Sequence, residues 1–162
     1  MISAAKRTRR TRSPPDPSML DTYAARGGEC AYGNLKMIAR VVSAVYEDAL
    51  RPVDLRAPQL SLMWAILATE PVSLSRLGRV SLTDQTTLSR TVENLRRAGF
   101  VTVSAGTDGR RKMVALSAEG RARFARAMPH WENAQRRIER YLAVPEMTAL
   151  AGRVRKSARA AF

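Results

Sequence analysis

Apolar residues along this chain recur mostly at helical spacing, and one short stretch breaks that rhythm. Leu35, Ile38, Ala39, Val42, Val45, Tyr46 and Ala49 follow the i, i+3, i+4, i+7 pattern. That spacing predicts a helix over residues 33–51, ended by Pro52. Pro58 suits the first turn of a second helix, whose stripe is Leu60, Met63, Trp64 and Leu67 and which Pro71 closes. Residues 74–80 read as a short helix behind Ser73, with a turn over residues 81–83. Thr83 or Asp84 can cap the next helix, which runs to about Ala98 and stops at Gly99, where a left-handed residue is least costly. Leu88, Val92 and Leu95 form its inward stripe, and Gln85, Thr86, Thr87, Ser89 and Arg90 are left for the other side. Then the period changes. Phe100 to Ser104 and Met113 to Leu116 are β-capable runs around an Asp108-Gly109 turn, the pattern of a hairpin. Ser117 is a natural N-cap for a long helix with Phe124, Met128, Trp131, Ala134, Ile138 and Tyr141 on one side. Pro129 is expected to kink it. Pro145 opens a last helix, with Met147, Leu150 and Val154 turned inward, ending near Ala160.

The predicted fold class is therefore mainly α with a small β-hairpin wing (α+β). Three consecutive cations, Arg110, Arg111 and Lys112, stand at or just past the hairpin tip. A two-stranded ribbon cannot bury such a tip, but it can set it against phosphates or in a minor groove. Short polar side chains plus one Arg on the preceding helix are the types that reach base edges and phosphates. Together these features predict a winged helix-turn-helix that binds double-stranded DNA.

Composition narrows the alternatives. The chain has 162 residues, a formal net charge of +14 and a pI near 11.3, which calls for a polyanionic partner, nucleic acid or an anionic membrane. No apolar run approaches the roughly 18 residues of a membrane span, so no membrane partner is expected. The basic N-terminus has no apolar segment behind it, unlike a secretory signal. A single cysteine, Cys30, rules out an internal disulfide framework and a Cys-based metal cluster, and points to the cytoplasm. With one histidine, His130, and no phosphate loop, nucleophile elbow or metal-ligand cluster, the chain is not expected to be an enzyme or to hold a cofactor or metal. Three phenylalanines offer few stacking platforms for RNA.

The charge is uneven. Residues 1–20 carry five cations (Lys6, Arg7, Arg9, Arg10 and Arg12) and one acid, whereas residues 21–83 carry seven cations and six acids. Few apolar groups are available to order residues 1–20, which read as a flexible basic arm, either a solvated tail or one that tracks phosphates. The organisation expected is this arm, a dimerisation helix region over 21–57, the winged helix-turn-helix over 58–118, and C-terminal dimerisation helices over 119–162.

The chain resembles the MarR family (multiple antibiotic resistance regulators). The matching register is Leu82-Thr83-Asp84-Gln85-Thr86-Thr87-Leu88-Ser89-Arg90-Thr91-Val92, then Leu95, Gly99-Phe100-Val101, Asp108-Gly109-Arg110, Val114-Ala115-Leu116-Ser117 and Gly120. Its most specific element is the Asp-x-Arg pair in the wing. The resemblance implies that Arg110 enters the minor groove and Asp108 orients it, and a guanidinium, planar and permanently charged, suits a narrow electronegative groove. It also implies a homodimer built from the first helix and the two C-terminal helices, with an inverted-repeat operator whose half-sites lie about one turn apart. Many family members are released by small aromatic or phenolic ligands; Tyr32, Met37, Arg40, Met63 and Trp64 are the residues here that could line such a cleft. Peroxide-sensing relatives carry a reactive cysteine near the start of the first helix. Aligning on Tyr46 and Pro58 places it at Tyr32, two residues after Cys30.

These readings converge on a sequence-specific transcriptional regulator, read as a repressor. Two alternatives stay open: a DNA-architecture protein with little sequence preference, and redox sensing through Cys30.

Overall fold

The computed structural model describes residues 17–81, 84–106 and 111–161. These residues fall into two compact units, one up to Ala39 and one from Arg40 onward.

The first unit begins with α1 (Pro17–Ala25), a helix the apolar spacing does not announce. Pro17 stands at its start, where a proline's missing N–H and fixed φ are no handicap. The expected arm over residues 1–20 is thus corrected at its end, since residues 17–20 are helical; residues 1–16 lie outside those described. A 3₁₀ turn over Gly27–Glu29 leads into α2 (Ala31–Leu50), which starts two residues before the expected helix. Asn34 donates to the Gly28 carbonyl at 2.8 Å, and Arg26 pairs with Glu29 at 2.9 Å.

In the second unit, α2 ends in a 3₁₀ turn over Arg51–Val53, and Asp54 follows in the left-handed region at φ 50°. Then come α3 (Ala57–Leu67), β1 (Val72–Ser73), α4 (Leu74–Ser81), α5 (Gln85–Arg97), β2 (Val101–Ala105), β3 (Lys112–Leu116), α6 (Ala118–Glu139) and α7 (Val144–Ala161). The core gathers Leu60, Met63 and Ile66 of α3, Leu77 of α4, Leu88, Val92 and Leu95 of α5, Val114 and Leu116 of β3, and Phe124 and Ala127 of α6. Full burial of each large apolar side chain stabilises by about 1.5–3 kcal/mol. That outweighs the modest helix propensity of α5, whose exposed positions are rich in Thr and Ser.

The hairpin is part of a three-stranded antiparallel sheet, ordered β1-β3-β2, with Val72 and Val103 both opposite Val114. Strand β1 goes unpredicted because two residues display no period. Phe100 lies before β2 and is buried in the core.

Ser117 knots the base of the wing. Its N–H donates to the Phe100 carbonyl at 3.0 Å, its hydroxyl donates to the Gly99 carbonyl at 2.5 Å, and its Oγ accepts from the Gly120 N–H at 2.9 Å. Gly99, at φ +76°, supplies the left-handed residue that ends α5. From the other side, the Glu70 carboxylate accepts from the Leu116 N–H at 2.7 Å and pairs with Arg121 of α6. The end of α5, the wing and α6 are thereby joined at one point.

Helix α6 runs from Ala118 to Glu139 with Pro129 inside it. The stripe expected to face inward on α7 does not do so within one chain: Met147, Leu150 and Val154 are 37%, 45% and 57% exposed.

Candidate nucleic-acid interface

The side chains of α5 divide as its period requires. Leu88, Val92 and Leu95 are buried, while Gln85, Thr86, Thr87, Ser89 and Arg90 are all exposed. Asp84 caps the helix, its carboxylate accepting from the Thr87 N–H at 2.9 Å. Hydrogen bonds from the Thr87 N–H and then its hydroxyl hold the Asp84 carboxyl below its ordinary range. A negative cap at a helix N-terminus also meets the positive end of the macrodipole. Asp84 is therefore occupied in shaping the helix start.

Arg90 makes no ion pair among the described residues. The candidate partner Glu93 is taken by Arg96 at 2.8 Å and Arg97 at 2.9 Å. Hydrogen bonds from Arg96 and then Arg97 pull the Glu93 carboxyl down to about 2. The same pairing raises the Arg96 pKa, through the Glu93 hydrogen bond first. These contacts offset charge in the C-terminal turn of α5 and leave the Arg90 charge uncompensated.

In the wing, the last ladder pair toward the tip is Ala105 with Lys112, and the Gly106 N–H donates to the Arg111 carbonyl at 2.7 Å. Arg111 and Lys112 are exposed at this end of the ribbon. Asp108 and Arg110, the expected groove-reading pair, lie outside the described residues, as does Thr83.

Of the five residues offered for an aromatic-ligand cleft, Trp64 borders a cavity and the other four do not line it. A cavity of about 380 Å³ is bounded by Tyr46, Leu50, Ala57, Leu60, Ser61, Trp64 and Trp131. Trp64 is a wall of it, with ring centroids 5.1 Å from Trp131 and 5.3 Å from Phe124 in edge-on contact. Met63 is fully buried in the core, a 100° step around α3 from Trp64. Arg40 is exposed and stands outside this lining, so the cavity is bounded by uncharged residues. Tyr32 and Met37 are exposed on the first unit, where Lys36 lies 5.9 Å from the Tyr32 ring. The Tyr46 hydroxyl donates to Gln135, and burial pushes its phenol up. Tyr46 and Trp131 are legible in the sequence only as apolar positions on two helices; their convergence has no local sequence signal.

Cys30 is exposed and immediately precedes α2, its carbonyl accepting from the Asn34 N–H at 3.0 Å. Among the described residues no group of three or more His, Cys, Asp or Glu side chains could hold a metal, and no helix is long and apolar enough to cross a membrane.

Comparison with known proteins first defines a class. Residues 55–120 match the family described as Winged helix DNA-binding domain. No curated protein sequence matches the chain. Among solved structures, the chain is similar to the M. tuberculosis transcriptional regulator MosR in complex with DNA, at 32% identity and a TM-score of 0.72, covering 82% of this chain and 98% of that one. It shares its fold with wild-type MarR from E. coli, at 19% identity and a TM-score of 0.62, covering 79% and 96%. Bordetella bronchiseptica BpsR, whose DNA binding is regulated by 6-hydroxynicotinic acid, has the same fold at 22% identity and a TM-score of 0.71, covering 82% and 95%. The chain is a winged-helix DNA-binding regulator. It belongs to the MarR family of transcriptional regulators.

Proposed function

We propose that this protein binds an inverted-repeat operator as a homodimer and represses transcription by occupying it. The observation that carries the reading is the α5 surface, where Gln85, Thr86, Thr87, Ser89 and Arg90 are exposed together on a helix pinned from behind by three buried side chains. Such a helix suits the major groove, with Gln and Arg reading base edges and the hydroxyls meeting bases or phosphates. Arg110 enters the adjacent minor groove, oriented by Asp108, while Arg111 and Lys112 contact phosphates. Residues 58–118 act as the reading head, and residues 21–57 and 119–162 as the dimerisation regions. The protein works in the cytoplasm, where its lone cysteine stays reduced.

Replacing Arg110 with alanine is expected to weaken operator binding by about 1–3 kcal/mol in an anisotropy titration. Unchanged affinity would remove the wing from the reading. Deleting residues 1–13, which hold five cations, is expected to flatten the dependence of log affinity on log salt. An identical slope would make the arm a passive tail.

A small aromatic effector fits the cavity walled by Trp64, Trp131 and Tyr46, where ring faces and apolar side chains supply the contact and the Ser61 and Tyr46 hydroxyls the polar handles. Binding there releases DNA by favouring a dimer whose reading heads are wrongly spaced.

A further inference from the structure

Helix α3 starts without a side-chain cap for its first N–H. Its N-cap residue is Arg56, a side chain with donors and no acceptor. Pro58 has no N–H to satisfy, so the Ala57 N–H is the first orphan donor of the helix. Its partner comes from another helix. Glu47 of α2 accepts from the Ala57 N–H at 3.1 Å through one carboxylate oxygen, and from Arg56 Nε at 3.1 Å through the other. The turn between the two helices is otherwise defined by the left-handed Asp54 at φ 50°. Arg123 of α6 holds it from the far side, donating to the Val53 carbonyl at 2.8 Å while its guanidinium lies 5.0 Å from the Phe100 ring at the wing base.

We infer that Glu47 is a positioning residue that fixes the angle between α2 and the reading head, and through it the half-site spacing the protein accepts. A carboxylate at the N-terminus of α3 meets both an orphan donor and the positive end of the helix dipole, so it favours one orientation of α3 over neighbouring ones. Without it, the six-residue turn 51–56 between α2 and α3 keeps the Arg123 bond to Val53, the Gln59 bond to the Arg56 N–H and the buried Leu55, but loses the hydrogen bond that runs directly from α2 to the first N–H of α3. The spacing consequence rests on the dimeric operator reading above; the angular consequence does not.

The test separates the two. Spin labels are attached to cysteines introduced by Ser43→Cys in α2 and Asn94→Cys in α5, in a Cys30→Ser background, and pulsed electron spin resonance reads the α2–α5 distance. Labelled protein is diluted into excess unlabelled protein so that only distances within a chain are read. Two variants break the Glu47 bond to the Ala57 N–H from opposite ends. Glu47→Ala deletes the acceptor. Ala57→Pro deletes the donor at a first-turn position where proline is tolerated, and Arg56, at φ −99° and ψ 151°, already has the extended backbone a following proline requires. Both are expected to broaden a narrow distance distribution, and Glu47→Gln, which keeps an oxygen acceptor, to restore it. A distribution unchanged by Ala57→Pro overturns the inference, and that variant decides alone if Glu47→Ala fails to fold. On DNA, the wild type is expected to prefer one spacer over those a base pair longer or shorter by about tenfold, and both variants to flatten that preference. A uniform loss across all spacers would make Glu47 a stabiliser only. A wild type indifferent to spacing would sink the dimeric operator reading, while the spin-label result would still judge the angular lock.

Discussion

Glutamate at both Leu150 and Val154 is expected to split the protein into monomers and to lower operator affinity by about 10²–10⁴-fold. Met147, Leu150 and Val154 repeat at i, i+3 and i+7 on α7, and all three stand exposed in the single chain. Arg153 and Lys156 fall outside that stripe, so the helix is amphipathic with an apolar side left uncovered. A groove of about 260 Å³ continues the apolar surface between α2, α6 and α7, lined by Val42, Tyr46, Gln135, Ile138, Val144, Met147, Thr148 and Ala151. A second copy of the same surface is the partner proposed for it. Two charges placed in a two-fold interface meet their own copies, which adds like-charge repulsion to the lost apolar contact. The affinity falls because each reading head then binds its half-site alone, without the effective concentration its partner supplies. Sedimentation velocity checks the first half of this expectation, and titration of the operator the second. A variant that still sediments as a dimer would exclude α7 from the interface.

Gly120→Ala is expected to destabilise the fold by about 3 kcal/mol or more, because a Cβ there has nowhere to go. It would collide with the Phe100 carbonyl, whose carbon stands 2.8 Å from the ideal Cβ position. The obstacle is backbone and cannot rotate aside. The same carbonyl accepts from the Ser117 N–H, so any shift that admits the methyl also loosens the knot between α5, the wing and α6. Thermal unfolding should fall by roughly 2–4 °C for each kcal/mol lost. A melting temperature within a degree of wild type would mean that α6 packs less closely on the wing base than the geometry indicates.

The parts of the fold set by local chemistry are the legible ones. Asp84 and Ser117 cap the helices expected of them, Gly99 ends α5 at positive φ, and the hairpin falls where the period switches to two. Each follows from side chains acting on backbone a few residues away. Three features depend on residues distant in sequence, and none is legible. Strand β1 is too short to show alternation and exists because Val72 and Ser73 meet β3. The Glu70 contact with Leu116 spans the reading head, and Glu47 reaches α3 across a turn. Met63 and Trp64 part for a related reason: they are adjacent in sequence, but a 100° step around α3 sends one into the core and the other to the cavity. Helix α1 is hidden among the prolines of residues 14–17, one of which begins it. The stripe on α7 is apolar, as its spacing predicts, but it stands exposed among the described residues, since amphipathicity marks a face for burial without saying against what.

We propose that α5 and the wing read a two-fold operator. Selection of binding sites from random duplex DNA at about 150 mM salt, where purely charge-driven association is suppressed, tests it most directly. An enriched inverted repeat with half-sites about one helical turn apart is expected. Measurable binding without any enriched sequence would contradict it, and would favour a protein that coats DNA through its +14 charge instead.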